Sequence, residues 1–239
     1  FWRAVADHAA AAARRESGDV MKPLILAVPK GRIAAEFRPL LAKVGITPEP
    51  AFDDPDARQL RFKTNLPEME IIRVRAFDVA AFVAYGAADL GVCGSDVLRE
   101  GDDSEIYAPL DLGIGLCRLS ICKRINADLS DPRRSGRVRV ATKYPVTTRA
   151  YYAAQGVQAE CINLSGAMEL APVLGLADYI VDLVATGSTL RANNLVETET
   201  IAQFSSRLIV NRATYKTAFV RLRPWIAHFE SIVDAEAPP

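Results

Sequence analysis

The residues best suited to chemistry fall in two short glycine-containing turns. In YIVDLVATGSTLRANN (179–194) an apolar strand carries Asp182 near its carboxyl end. The loop Ala185, Thr186, Gly187, Ser188 and Thr189 then leads into a helical pattern. Hydroxyl side chains around a glycine, with free backbone N–H groups at a helix start, suit a phosphate. The same residues also describe an ordinary capped helix with Ser188 or Thr189 at the N-cap. In LAVPKGRI (26–33), Lys30 and Arg32 flank Gly31 just after another apolar strand. Two cations around a glycine suit a pyrophosphate, and read plainly they are a solvated turn.

Weaker candidates surround these. Arg58 closes the acidic loop DDPDAR, and Arg73 and Arg75 alternate on a strand and so share a face. The turn GVCGSD (91–96) puts Cys93, Gly94 and Ser95 at a strand end, and Glu169 follows the turn SGA with Ser165 as a cap candidate. Salt bridges and caps use these residue types as readily as sites do.

Composition narrows the chemistry. The chain has 2 histidines, His8 and His228, near its two ends, which argues against Ser-His-Asp or Cys-His catalysis and His-rich metal sites. Its 29 basic and 29 acidic residues balance, giving no case for nucleic-acid binding, yet the basic set is 22 Arg to 7 Lys. Arginine grips phosphate and carboxylate bidentately, so the skew favours a small anionic ligand. The 4 cysteines, Cys93, Cys117, Cys122 and Cys161, form no C-x-x-C pair and read as buried free thiols in a reducing cytoplasm. No apolar run approaches the ~18 residues that span a membrane, so no membrane partner is expected.

The elements that must hold these residues alternate. LILAVP (24–29) reads as a buried strand, then a helix runs to Gly45; strands follow at 58–62 and 70–75, a helix at 78–87 with Asp78 as N-cap, and a strand at 89–94. That order implies an α/β domain with a largely parallel sheet. An extended stretch (105–124) leads to a second alternation: strands at 137–144, 158–164 and 179–185, with helices at 147–156 and 167–175 between them and another beginning at 189. The extended run 196–212 returns, and a helix from Ala213 to Val233 ends the pattern. One α/β unit, a crossing, another unit and a crossing back describe two lobes joined by two strands. The boundaries are 1–20 as an N-terminal extension, 21–113 plus 202–239 as lobe I, and 114–201 as lobe II with the ATGST loop.

These segments together resemble one family, the ATP phosphoribosyltransferases, in their short form. The resemblance rests on PKGRI (29–33), RVRAFDV (73–79), ADLGVCGSDVL (88–98), RVRVATKY (137–144), SGAMELAP (165–172), DLVATGSTLRANNL (182–195) and SSRLIVN (205–211), in the family's order. It implies a type II periplasmic-binding-protein-like α/β fold with two crossover strands. It also implies a reaction: N1 of ATP attacks C1 of phosphoribosyl pyrophosphate (PRPP) and pyrophosphate leaves, with Mg²⁺ as cofactor, in the first step of histidine biosynthesis.

The resemblance gives each residue a role. Thr186, Gly187, Ser188 and Thr189, with Ala185 before them, bind the ribose 5-phosphate. Asp182 and Glu169 engage the ribose hydroxyls directly or through Mg²⁺, which the substrate phosphates mainly hold. Lys30, Gly31 and Arg32 meet pyrophosphate or ATP phosphates from the other lobe, and Arg32 and Arg58 are catalytic. Arg73 and the Cys93, Gly94, Ser95 turn serve the nucleotide side. At Ala185 the family often has an acidic or hydroxyl residue, so one hydrogen-bonding group is missing. The short form implies a cytoplasmic homodimer joined to a regulatory subunit resembling a histidyl-tRNA synthetase. Two other readings remain: a non-enzymatic ligand-binding module on the same fold, and an inactive homologue, raised by Ala185.

Overall fold

A computed structural model describes residues 22–54, 56–101, 104–128 and 131–236; the N-terminal extension of the sequence reading, 1–20, lies outside them. The chain divides into two compact units. One holds the described residues of Phe1–Cys93, Asp103–Ile114 and Arg207–Pro239, the other those of Gly94–Asp102 and Gly115–Ser206. The sequence reading leaves 94–101 in the first lobe, whereas here this stretch belongs to the second unit.

The first unit is built on a 6-stranded sheet, ordered β2-β3-β1-β4-β11-β5. Its strands are β1 (Leu24–Pro29), β2 (Arg61–Lys63), β3 (Met69–Val74), β4 (Leu90–Gly94), β5 (Ile106–Asp111) and β11 (Ser206–Asn211). β1 pairs in parallel with β3 and β4, but β2 on β3 and β5 on β11 are antiparallel, so the sheet is mixed rather than largely parallel. The apolar run LILAVP sits at the centre because Leu24, Leu26, Ala27 and Val28 are all buried.

Helix α1 (Arg32–Lys43) buries Phe37, Leu40 and Leu41 against this sheet. Phe37 stacks on Phe229 of the long C-terminal helix at 5.6 Å between ring centroids. Helix α2 (Val79–Ala84) lies so close to β4 that a Cβ on Gly91 would fall 2.8 Å from Val79 Cγ1.

The second unit has a 5-stranded sheet, ordered β10-β6-β9-β7-β8. These strands are β6 (Cys117–Arg124), β7 (Arg137–Thr142), β8 (Gln158–Asn163), β9 (Tyr179–Val184) and β10 (Leu195–Phe204). β7 is parallel to β8 and β9, while β6 is antiparallel to β9 and β10. Helices α3 (Ser95–Glu100), α4 (Pro132–Ser135), α5 (Pro145–Ala153), α6 (Leu170–Val173) and α7 (Ser188–Ala192) complete it. α8 (Arg212–Thr217) and α9 (Phe219–Glu236) return to the first unit.

Several sequence expectations change. The extended stretch 105–124 is two strands in different sheets, β5 and β6, broken by positive φ at Gly113 and Gly115. The strand at 58–62 shrinks to β2, leaving Arg58 on a loop. Asp78 makes no side-chain cap; a 3₁₀ turn, Ala76–Asp78, precedes α2. The 167–175 helix contracts to α6, with Glu169 rather than Ser165 at its N-cap position. The C-terminal helix is two, α8 and α9, the first capped by Asn211 Oδ1, which accepts from Thr214 N at 2.8 Å.

Candidate functional site

In the second unit, the ATGST loop leaves the carboxyl end of β9, the edge where open α/β sheets take ligands. Gly187 occupies the N-cap position of α7 at φ 72°, a left-handed conformation that a side chain disfavours. Neither Ser188 nor Thr189 is that cap. Thr186 Oγ1 and Ser188 Oγ share a hydrogen bond of 3.1 Å, so both hydroxyls stay at the loop surface. Ala185, Thr186, Ser188 and Thr189 are exposed. Arg191 Nη1 donates to Thr186 O at 3.2 Å and brings positive charge beside the loop.

Asp182 lies within β9, two residues before its last residue, Val184. Burial pushes its carboxyl above the usual aspartate range; the Leu183 N–H, donating to Oδ1 at 2.8 Å, opposes that, Glu169 adds to the rise and Lys143 offsets it. Glu169, at the N-cap position of α6, thus lies within electrostatic reach of Asp182.

The sequence reading missed the residues that brace this loop. Arg118 on β6 holds Glu197 on β10 through two bonds of 2.6 Å, and its Nη1 donates to Ala185 O at 3.2 Å. Ser120 Oγ (2.7 Å) and Thr200 Oγ1 (3.1 Å) also donate to Glu197 Oε1. Arg118 and then Ser120 and Thr200 hold the Glu197 carboxyl down at about 2, with burial opposing. The only sequence signal was Arg118 and Ser120 alternating on one strand. Their acceptor lies 79 residues away from Arg118, a pairing that local pattern does not reveal.

The Cys93, Gly94, Ser95 turn is less open than expected. Cys93 is buried, and a Cβ on Gly94 would fall 2.1 Å from Asp96 Oδ1. Ser95 N donates to Ser205 O at 2.9 Å, which ties α3 to the residue after β10. The buried Asp96 accepts from Tyr144 Oη at 2.8 Å, and Glu100 accepts the N–H groups of Val146 (2.6 Å) and Thr147 (2.9 Å) at the start of α5. These carboxylates satisfy orphan donors and a buried hydroxyl, a packing role.

In the first unit, Lys30, Gly31 and Arg32 are exposed on the turn from β1 into α1. Gly31 has φ 88° and ψ −144°, and Lys30 N donates to Val74 O at 2.9 Å, so the backbone of the turn is fixed while the cations reach outward. Arg32 Nη1 lies 3.5 Å from Glu36 Oε1, a half-exposed pair one turn along the helix that salt and solvent weaken.

Arg58 is exposed, and its guanidinium makes no hydrogen bond or ion pair with another described residue. Arg73 differs. Its Nη1 donates to Phe52 O (3.0 Å), its Nη2 to Ala57 O (2.9 Å), and its guanidinium lies 5.0 Å over the Phe62 ring. Arg75, placed on the same strand face by the sequence, sits instead before the 3₁₀ turn.

All four cysteines are free; Cys93 and Cys122 are buried, Cys117 and Cys161 partly so. Burial pushes the Cys122 thiol up to about 12, so it is inert rather than nucleophilic. Among the described residues no three His, Cys, Asp or Glu side chains gather into a metal site, and no helix is long and apolar enough to cross a membrane.

The family model described as HisG, ATP phosphoribosyltransferase, matches residues 75–231. A protein of Rhodospirillum rubrum called ATP phosphoribosyltransferase is 55% identical over 224 residues, 93% of this chain and 98% of its own length. Among solved structures, the ATP phosphoribosyl transferase (HisG:HisZ) complex from Thermotoga maritima aligns with 89% of this chain and 100% of the matched chain, at TM-score 0.73 and 29% identity. The periplasmic aliphatic sulphonate binding protein SsuA from Escherichia coli aligns with 90% of this chain and 69% of its own, at TM-score 0.55 and 16% identity, a likeness of fold alone.

Proposed function

The chain belongs to the ATP phosphoribosyltransferase family, and on that footing we propose which of its residues carry the reaction. It is a transferase that joins N1 of ATP to C1 of PRPP with release of pyrophosphate, the first step of histidine biosynthesis. The observation that carries the residue assignment is the ATGST loop. Exposed hydroxyls, a left-handed glycine and a braced backbone sit at the carboxyl edge of β9, just beyond an ionisable Asp182.

In this reading the loop from Thr186 to Thr189 holds the 5-phosphate, and Asp182 and Glu169 face the ribose hydroxyls. Adenine N1 is unprotonated at neutral pH, so the attack needs no strong general base, in keeping with a chain of 2 histidines. The barrier lies in parting a multiply charged pyrophosphate from an oxocarbenium-like ribose, which fixed cations lower. Lys30, Arg32 and Arg58 supply them, with Gly31 keeping the backbone of that turn low. Their exposure and the weak pairing of Arg32 support this role.

Mg²⁺ fits as a substrate-bound ion. Asp182 and Glu169, whose carboxylate oxygens suit a hard cation, would supply its protein contacts, with the substrate phosphates holding most of it. When bound, it neutralises charge on the departing pyrophosphate.

We further propose a cytoplasmic enzyme, a homodimer that joins a regulatory subunit resembling a histidyl-tRNA synthetase. The solved Thermotoga relative is a HisG:HisZ complex. Leu170, Val173, Leu174 and Leu176 are exposed together on and after α6, which supports burial against a protein partner. The decisive assay incubates the full chain with ATP, PRPP and Mg²⁺, with and without that subunit. Pyrophosphate and phosphoribosyl-ATP should appear together, faster with the subunit. Absence of both products under either condition would falsify the assignment and return the chain to a plain binding module.

A further inference from the structure

We propose that Arg73 is a positioning residue for Arg58 and makes no contact with the nucleotide; this rests on the reading of Arg58 as a cation for the departing pyrophosphate. Arg73 sits near the end of β3, held in register opposite Val28 of β1. Its guanidinium faces back into the loop that carries Arg58. Nη2 donates to Ala57 O at 2.9 Å and lies 3.5 Å from Gln59 O, so it touches the carbonyl on each side of Arg58. Nη1 anchors the same group to Phe52 O at 3.0 Å.

Backbone from the same residue adds a further tie, Arg73 N to Leu60 O at 2.8 Å. The Phe62 ring lies 5.0 Å beneath the guanidinium carbon, and the Arg73 Nε is buried without a hydrogen bond among the described residues. A guanidinium sealed in this way has little left to offer a ligand. It does fix the backbone from which an exposed Arg58, engaged by no other described residue, projects.

Without the Arg73 side chain the loop is held by the backbone bond from residue 73 to Leu60 O, by its own short-range bonds, Asp56 N to Asp54 Oδ1 and Ala57 N to Asp54 O, and by Gln59 bonded to Glu49 and Arg61. Those leave the stretch from Ala57 to Gln59 untied to the sheet at its carbonyls. A planar fork spans separated carbonyls while stacking on a ring; a lysine ammonium, a point donor, does not.

The test is a double-mutant cycle on the full chain, measuring pyrophosphate release with ATP, PRPP and Mg²⁺ for Arg73→Gln, Arg73→Lys, Arg58→Ala and the pairs, with melting temperature alongside. Arg73→Gln should lower kcat about 10- to 100-fold, the scale of a misplaced catalytic group, with the KM for ATP unchanged. In the Arg58→Ala background the same change should cost nothing further. Arg73→Lys, which keeps the charge and so the fold, should show the same kcat loss and the same silence beside Arg58→Ala. An equal loss in both backgrounds, or a raised KM for ATP at constant kcat, overturns the proposal. If Arg58→Ala alone leaves turnover intact, it is the leaving-group role of Arg58 that has failed, and positioning falls with it.

Discussion

At the scale of single residues, the charges divide into those that reach outward and those that hold the scaffold. Arg32 and Arg58 are of the first kind, Arg73 and Arg118 of the second. Arg32→Ala should cut turnover about 100-fold, the scale of losing one preorganised charge stabiliser, while leaving the melting temperature nearly unchanged. Steady-state kinetics beside thermal melts checks this. Asp182 should behave oppositely. Its carboxyl is raised by burial, so its ionised form at neutral pH costs stability, and the cost disappears as pH falls below its folded titration point. Asp182→Asn should therefore raise the melting temperature at pH 8, by about 2–4 °C per kcal/mol relieved, but not at pH 4, and should abolish detectable PRPP binding by calorimetry. A melting temperature that falls at pH 8 would show that the charge is compensated elsewhere.

At the scale of elements, the ATGST loop owes its shape to β9 on one side and to the Arg118–Glu197 brace on β6 and β10 on the other. Glu197 is held well below the usual glutamate range, so the brace stabilises the folded unit at neutral pH, and that contribution is lost as pH drops from ordinary carboxylate titration toward about 2. In Glu197→Gln, acid unfolding followed by circular dichroism should be less steep over that window, because this carboxylate no longer titrates. Gly187→Ala places a methyl at φ 72°, costing roughly 1–2 kcal/mol of backbone strain, with Arg191 Nη1 only 3.3 Å from the new Cβ. The KM for PRPP should rise while the KM for ATP stays put, as initial-rate kinetics can show. The elements themselves were largely legible. LILAVP and YIVDLV are buried strands because each runs apolar with few interruptions. The helix after Tyr144 ends by Gly156, at φ 73°, as its sequence signals. Boundaries failed where tertiary pairing decided them, as in 105–124, where the sheet each half joins, and not the local alternation, ends one strand and starts the next.

At the scale of the whole chain, each unit carries its own sheet and its own apolar cluster, and the chain passes between the units on either side of α3, between β5 and β6, and between β10 and β11. The first cluster depends on Phe37 stacked on Phe229, joining residues far apart in sequence. Phe37→Ala should cost about 3–5 kcal/mol in urea unfolding, since it empties a fully buried ring site. The sequence by itself determined the alternating α/β order, the two glycine turns and the outward cations, because apolar periodicity and turn chemistry are local properties. It also determined the exclusion of imidazole catalysis, which needs only a count. The tertiary structure alone decided what Arg73, Arg118, Asp96 and Glu100 do. A charged side chain takes its role from the polar groups that folding brings to it, and those partners lie from 14 to 79 residues away along the chain.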